Sequence, residues 1–388
     1  MPKNGSAANL LTAADLAGLV RSVFPRFGGD KRLAILVDIP RDPAADNAPW
    51  RDRREMASAW AAALQDGAPG LDLDGVDLVA YADVGSNNAE LPEKAVLIEG
   101  RLPETAAGLG EAGRTVTIED VFASHQIYLA PTEFSTTAPL KNAAKRFGFR
   151  AATMPGFAGT MVPALRIDYG RVAERVMALK ERLDAAVSAE IVLLADGTAH
   201  TLALDLRHRT AHSSTGRFPE AGTAGNLPSG EAYIVPFEGL PGDPSLSAGL
   251  LPVDTGRGLV VFTIAANRAV SVRGEEPAAS EEAAHLRREP AYGNLAELGF
   301  GVLADFGLEP VGEILLDEKL GLHIAFGRSD HFGGAVGPRD FSSPAEVIHL
   351  DRIYIPPCQP RAAVRSVVLI GPDGSREEIM RDGIYRIF

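Results

Sequence analysis

Apolar and polar positions along this chain follow two different rhythms. Leu33-Ala34-Ile35-Leu36-Val37 is an unbroken apolar run that reads as a buried strand, with Asp38 at its carboxyl end and Pro40 stopping it. Met56, Trp60, Ala63 and Leu64 recur at helical spacing within residues 53–65, and residues 76–81 form a second apolar strand. Residues 125–130 and 138–147 repeat the pair as strand and helix. This βαβα order predicts a parallel sheet covered by helices. From Asp168 onward, Val172, Val176, Leu179, Leu183 and Val187 share one face of a helix that ends near Ser188. Beyond it the texture changes to short strands divided by Gly and Pro turns, at 191–194, 198–206, 232–236, 259–264, 322–326, 353–355 and 366–370. Few helices are expected there, foremost at 280–288 and 294–306. The fold class is therefore α/β: an amino-terminal parallel-sheet α/β domain over residues 1–188, then a β-rich α+β domain over 189–388.

Composition narrows the classes of function. The 388 residues, 46% hydrophobic and 23% charged, suit a globular protein of two domains. An excess of 51 acidic over 38 basic residues gives a net charge of -13, which repels phosphate backbones and anionic lipid. Nucleic acid and membrane are thus not expected partners. The single cysteine, Cys358, excludes an intrachain disulfide framework and thiolate-rich metal sites, and agrees with a reducing cytoplasm. The first 20 residues lack a signal-peptide pattern, and no stretch reaches the roughly 20 uncharged apolar residues of a spanning helix. The expectation is a soluble, cytoplasmic protein.

Common catalytic motifs are missing. Ile39-Pro40-Arg41-Asp42-Pro43 follows the first strand where a glycine-rich turn would approach a pyrophosphate. The chain has no phosphate-loop Gly-Lys pair, no Gly-x-Ser-x-Gly elbow and no His-Glu-x-x-His helix. Asp38 and Asp83, at strand ends, are read as structural. His208 and His212 fall in a segment that reads as a loop lining the substrate entrance.

What remains is a set of nitrogen and oxygen donors in the second domain. A turn-rich approach delivers Glu231 to the start of a strand. Glu297 is a lone acid among apolar and small residues, where burial of an unpaired charge would be costly and a metal ion would remove the cost. His323 heads an apolar strand just after the acidic pair Asp317-Glu318. His349 and Asp351 are two residues apart, so in a strand they project from one face about 6.8 Å apart. The set suits Zn, Co, Mn or Fe rather than soft metals. Taken singly, each residue has a bland alternative. His323 could be a hydrogen-bonded structural residue, Glu231 a turn cap, and His349 with Asp351 a surface pair.

Residues 225–236, 296–301, 317–334 and 349–351, in that order and spacing, resemble the motifs of the thermophilic, aminopeptidase T-like metallo-aminopeptidase family. The likeness extends into the first domain through Arg150-Ala151-Ala152-Thr153-Met154-Pro155-Gly156 and Asp168-Tyr169. It implies two divalent ions, Zn, Co or Mn, with Glu231, Glu297, His323, His349 and Asp351 as ligands and Glu297 as the bridge. It also implies a homodimer. One position departs from the family: the tyrosine often found seven residues beyond His323 is here Asp330, followed by His331. Either residue substitutes as a ligand, or the second metal site is altered. The reading is a hydrolase that uses a metal-activated water to remove amino-terminal residues from a small peptide or amide, with Glu318 as general base. Glu318 could instead simply pair with Lys319 or another cation. The alternative is a mononuclear iron dioxygenase of the dihydroxypyridine ring-cleaving type, which shares the scaffold and has a His near the Glu297 position. A third reading is a binding protein that kept the fold and lost its chemistry.

Overall fold

Leu33, Ala34, Ile35, Leu36 and Val37 have no exposed surface, as a strand covered on both faces requires. In the computed structural model, which describes residues 11–25 and 28–388, they belong to the strand Arg32–Ile39. That strand pairs in parallel with Gly75–Ala82 on one side and Ile127–Ala130 on the other. Arg150–Thr153 and Ala224–Asn226 extend the sheet in parallel beyond Ile127–Ala130. At the opposite edge Lys94–Ile98 and Gly113–Thr117 complete seven strands but run antiparallel to their neighbours. The expected parallel sheet is therefore mixed. Gly113–Thr117 has no fully buried residue, so it lacks the apolar run that marks the central strands in the sequence.

Covering helices form where the spacing predicts them. Ala48–Gly67 starts at Asn47, whose side chain accepts from the Trp50 amide at 2.9 Å, and Pro49 occupies the first turn, where a missing N–H costs nothing. Asp38 ties this helix to the sheet. Its carboxylate accepts from Trp50 Nε1 at 3.0 Å and from the amides of Glu133 and Phe134. Near-complete burial pushes Asp38 up to about 6, against the pull of those donors. Asp83 is likewise engaged, accepting from the Arg41 amide at 2.6 Å. In the helix Tyr169–Ala185, Val172, Val176, Leu179 and Leu183 form the buried stripe.

Two compact units divide the chain: one runs up to Ala173 and takes in Gly216–Ser229, and the other holds Glu174–Thr215 and Gly230–Phe388. The second unit is built on antiparallel sheets. One has eight strands, with Ser188–Ala195 paired between Thr198–Asp205 and Ala362–Ile370. The other has five, which we label β1 (His212–Ser214), β2 (Glu231–Ile234), β3 (Leu295–Gly301), β4 (Leu322–Gly327) and β5 (His349–Ile353). In space they lie in the order β5-β4-β3-β2-β1.

The expected helix at 280–288 is present as Ala278–Arg288. The one at 294–306 is not: it consists of β3 followed by a short 3-10 turn, Leu303–Phe306. Gly299 and Gly301 disfavour a helix, and pairing with β2 and β4 on both edges stabilises the extended form. The strand expected at 353–355 lies earlier, at His349–Ile353. No described helix is long and apolar enough to cross a membrane.

Both tryptophans of the chain, Trp50 and Trp60, are buried in the first unit, so their emission reports its unfolding. Leu36→Ala, which opens a cavity in the central strand, should destabilise this unit by about 2–5 kcal/mol. The expected readout is a lower urea midpoint of tryptophan emission; an unchanged midpoint would refute this account of the core.

Candidate metal centre

Side chains alternate across a strand, so the register of β1 to β5 decides which residues meet. Tyr233, Gly299, His323 and Ile353 lie side by side across β2 to β5. Glu231 pairs with Gly301 on one side and Ser214 on the other. Glu297 opposes Ala325, which opposes Asp351, and Gly327 opposes His349. One face of the sheet thus collects Glu231, Glu297, His323, His349 and Asp351. A bulge between Leu295 and Glu297 shifts the β3–β4 register beside Glu297, the kind of irregularity that re-aims a side chain.

Small residues on this face make the room. A Cβ on Gly299 would stand 1.9 Å from His323 Nε2, and one on Gly301 would stand 2.0 Å from the Lys319 carbonyl carbon. Glycine is needed here for space rather than for backbone conformation. The alternation Glu297-x-Gly299-x-Gly301 matches one face of this strand, although the sequence pattern predicts a helix here.

Glu297 lies at the middle of the cluster. Its Oε1 is 3.1 Å from His323 Nε2, and its Oε2 is 3.3 Å from His349 Nε2. His349 Nε2 also lies 3.6 Å from Asp351 Oδ1, and His323 Nε2 lies 3.6 Å from Glu231 Oε2. His349 Nδ1 donates to the Arg328 carbonyl oxygen at 2.8 Å, which turns Nε2 toward the carboxylates. Metal-bound histidines are commonly held through the second nitrogen in this way.

Two groups of three donors result, Glu231–Glu297–His323 and Glu297–His349–Asp351, and within each the donor atoms all lie within 4.8 Å of one another. Lys319, which the sequence offered only as a pairing partner for Glu318, is buried among the acids. It donates to Glu231 Oε1 at 2.6 Å and makes a short contact to Glu318 Oε1. Glu231 Oε2 is buried and has no hydrogen-bond partner among the described residues.

These features fit a divalent cation. Four carboxylates, Glu231, Glu297, Glu318 and Asp351, share the cluster with the ammonium of Lys319, which pairs with Glu231 and Glu318 alone, and the resulting deficit of positive charge is costly in a buried place. Among protein charges alone the imidazoles take up part of it. Burial opposes the charged form of His323, but Glu297 more than offsets this and pushes it up to about 9. Burial likewise disfavours the Glu297 carboxylate, yet His323 and His349 hold it below the ordinary range. Burial pushes Glu318 up to about 7, aided by Glu231 and Asp351 and opposed by Lys319.

Asp330 and His331 belong to neither donor group. Asp330 is exposed and pairs with Arg328 Nε at 2.5 Å. The His331 ring lies 5.2 Å from that of His349. His208 and His212 do not form one loop: His208 is exposed and faces Asp243, while His212 opens β1.

No family model matches the sequence, and no curated protein does. Solved structures resemble it in fold. The 2,5-dihydroxypyridine dioxygenase from Pseudomonas putida KT2440 aligns with a TM-score of 0.58 and 15% identity, covering 97% of this chain and 98% of that one. Wild-type AmpT from Thermus thermophilus aligns with a TM-score of 0.50 and 16% identity, covering 96% and 99%. The chain thus has an α/β fold followed by a β-rich part, shared with both over nearly its whole length.

Gly299→Ala tests the geometry of the centre. The added methyl must displace the His323 ring, so affinity for Zn(II) or Co(II) should fall by roughly 10- to 100-fold while far-UV circular dichroism stays the same. Unchanged affinity would show that His323 does not need its present position.

Proposed function

We propose that this chain is a metal-dependent hydrolase that removes amino-terminal residues from small peptides or amides. Glu231, Glu297, His323, His349 and Asp351 would hold two divalent ions, with Glu297 shared between them. One observation carries this reading: the Glu297 carboxylate presents one oxygen to His323 and the other to His349. That arrangement suits a bridging ligand. When bound, such ions lower the pKa of water and polarise a carbonyl.

The chain's own residues would do the rest. Glu318 is the candidate general base, taking the proton of the attacking water and passing it to the leaving amine. Lys319 holds the Glu318 carboxylate in place and at the same time fixes Glu231 through Oε1, leaving Oε2 turned toward His323. A base steadied by a buried cation does not have to be ordered at the moment of reaction.

A second reading, a mononuclear iron dioxygenase using His349 and Asp351 with His323 or Glu297, has its own support. The Lys319 ammonium already places one cation at Glu231, and the fold likeness includes a ring-cleaving dioxygenase.

Elemental analysis of protein purified without chelators, joined to assays on aminoacyl amides and to oxygen-electrode measurements, separates the two. The hydrolase reading expects two Zn, Co or Mn per chain, release of amine and no oxygen uptake. One Fe per chain with oxygen consumption on hydroxylated pyridines would replace it with the dioxygenase. For Glu318→Gln, turnover should drop roughly a hundredfold or more while metal content stays constant. Turnover equal to that of the parent would remove Glu318 from the mechanism.

A further inference from the structure

One wall of the metal centre is aromatic. Tyr233 follows Glu231 by two residues on β2, so its side chain stands on the same sheet face as the donor atoms. His212, its cross-strand neighbour, stacks on it with ring centroids 5.2 Å apart and planes 23° apart. Phe332 meets Tyr233 edge-on at 4.9 Å and also lies against His349, at 5.5 Å. The donor cluster and the three rings are therefore contiguous.

The wall is held in place by polar contacts. His212 Nε2 donates to the Phe332 carbonyl oxygen at 2.9 Å. Arg209 donates to the next carbonyl, that of Gly333, at 2.6 Å. The Glu238 carboxylate accepts from Ser329 Oγ and from the Ala335 amide, each at 2.5 Å, so both ends of the segment that carries Phe332 are clamped. His212, Tyr233 and Phe332 nevertheless all keep part of their surface accessible. Rings that serve only as core gain most by full burial. Rings that are ordered in advance, partly open and adjacent to a reactive centre suit a ligand's apolar group.

We propose that His212, Tyr233 and Phe332 form a subsite for an aromatic side chain on the residue whose amide is cleaved. The inference rests on the hydrolase reading above, and gives it a substrate class: peptides with amino-terminal Phe, Tyr or Trp. An aromatic ring can meet Tyr233 and Phe332 in the offset or edge-on geometry these rings already adopt with each other. An acidic side chain would approach the carboxylates Glu231, Glu297 and Asp351, while the nearby Lys319 ammonium is already paired with Glu231 and Glu318. A methyl group would leave the rings uncovered.

Side-chain selection can be measured apart from catalysis. The Zn-loaded full chain is titrated calorimetrically with phenylalanine hydroxamate and alanine hydroxamate, which share a metal-chelating head and differ only in the side chain. Phenylalanine hydroxamate should bind at least about tenfold more tightly. Tyr233→Ala and Phe332→Ala should each erode that preference while leaving alanine hydroxamate affinity and zinc content unchanged. Tyr233→Phe, which keeps the ring, should retain it. Equal binding of the two hydroxamates to the parent, binding of neither, a stronger preference for lysine hydroxamate, or a phenylalanine preference that survives both alanine variants would each overturn the subsite. If ring selection holds and no aminoacyl amide is hydrolysed, the hydrolase reading falls while the subsite stands.

Discussion

The second unit is organised around one buried carboxylate, Glu297, set between two imidazoles. A carboxylate at 4% exposure in the central strand of a sheet is tolerable only if its charge is answered, and His323 on the adjacent strand β4 and His349 on β5, one strand further, answer it. Each of those groups is held in turn. His349 is fixed by the Arg328 carbonyl, while His323 depends on the absence of a side chain at Gly299. Remove that space and the imidazole loses its place.

The sheet supplies this arrangement through register rather than through loops. Three antiparallel pairings bring β2, β3, β4 and β5 into line, and alternation sends every polar donor to one face. The opposite face of the same strands is apolar, with Ile234, Leu298, Phe300, Ile324 and Phe326 fully buried. That contrast locks the register, because a slip of one residue would send Glu297 into the core and Leu298 into the centre. A rigid scaffold of this sort suits chemistry in which donor atoms must stay within a few tenths of an ångström of their working positions.

Electrostatics then shapes the centre. Lys319 neutralises part of the acidic surplus and links Glu231 to Glu318, so that a proposed ligand and the proposed base share one cation. With the ammonium counted, the centre can accommodate one divalent ion or two without leaving a large uncompensated charge. Fold likeness does not choose between them, since the same scaffold appears in a dioxygenase and in AmpT.

Much of the architecture was legible in the amino-acid order. Apolar runs and helical stripes located Arg32–Ile39, Ala48–Gly67 and Tyr169–Ala185, because burial of a whole strand or a helix face imprints its period on the chain. The donor residues Glu231, Glu297, His323, His349 and Asp351 stood out as polar groups in apolar or turn-rich surroundings, and the fold brings all five together. Residues 294–306 resemble a helix in the sequence because a short apolar run carries no decisive period, and only pairing on both edges makes Leu295–Gly301 the strand β3. Lys319 gave no distinctive signal, since a lysine beside a glutamate is ordinarily solvated; its burial follows from the close approach of its backbone to Gly301. The aromatic wall was equally hidden, because His212, Tyr233 and Phe332 are far apart in the chain and meet only through strand pairing and a clamped turn. The sequence by itself determined which residues could do chemistry, since donor type and burial tendency belong to each residue. Which of them share one face, and which charge answers which, only the tertiary structure decided, because register and long-range packing set those distances.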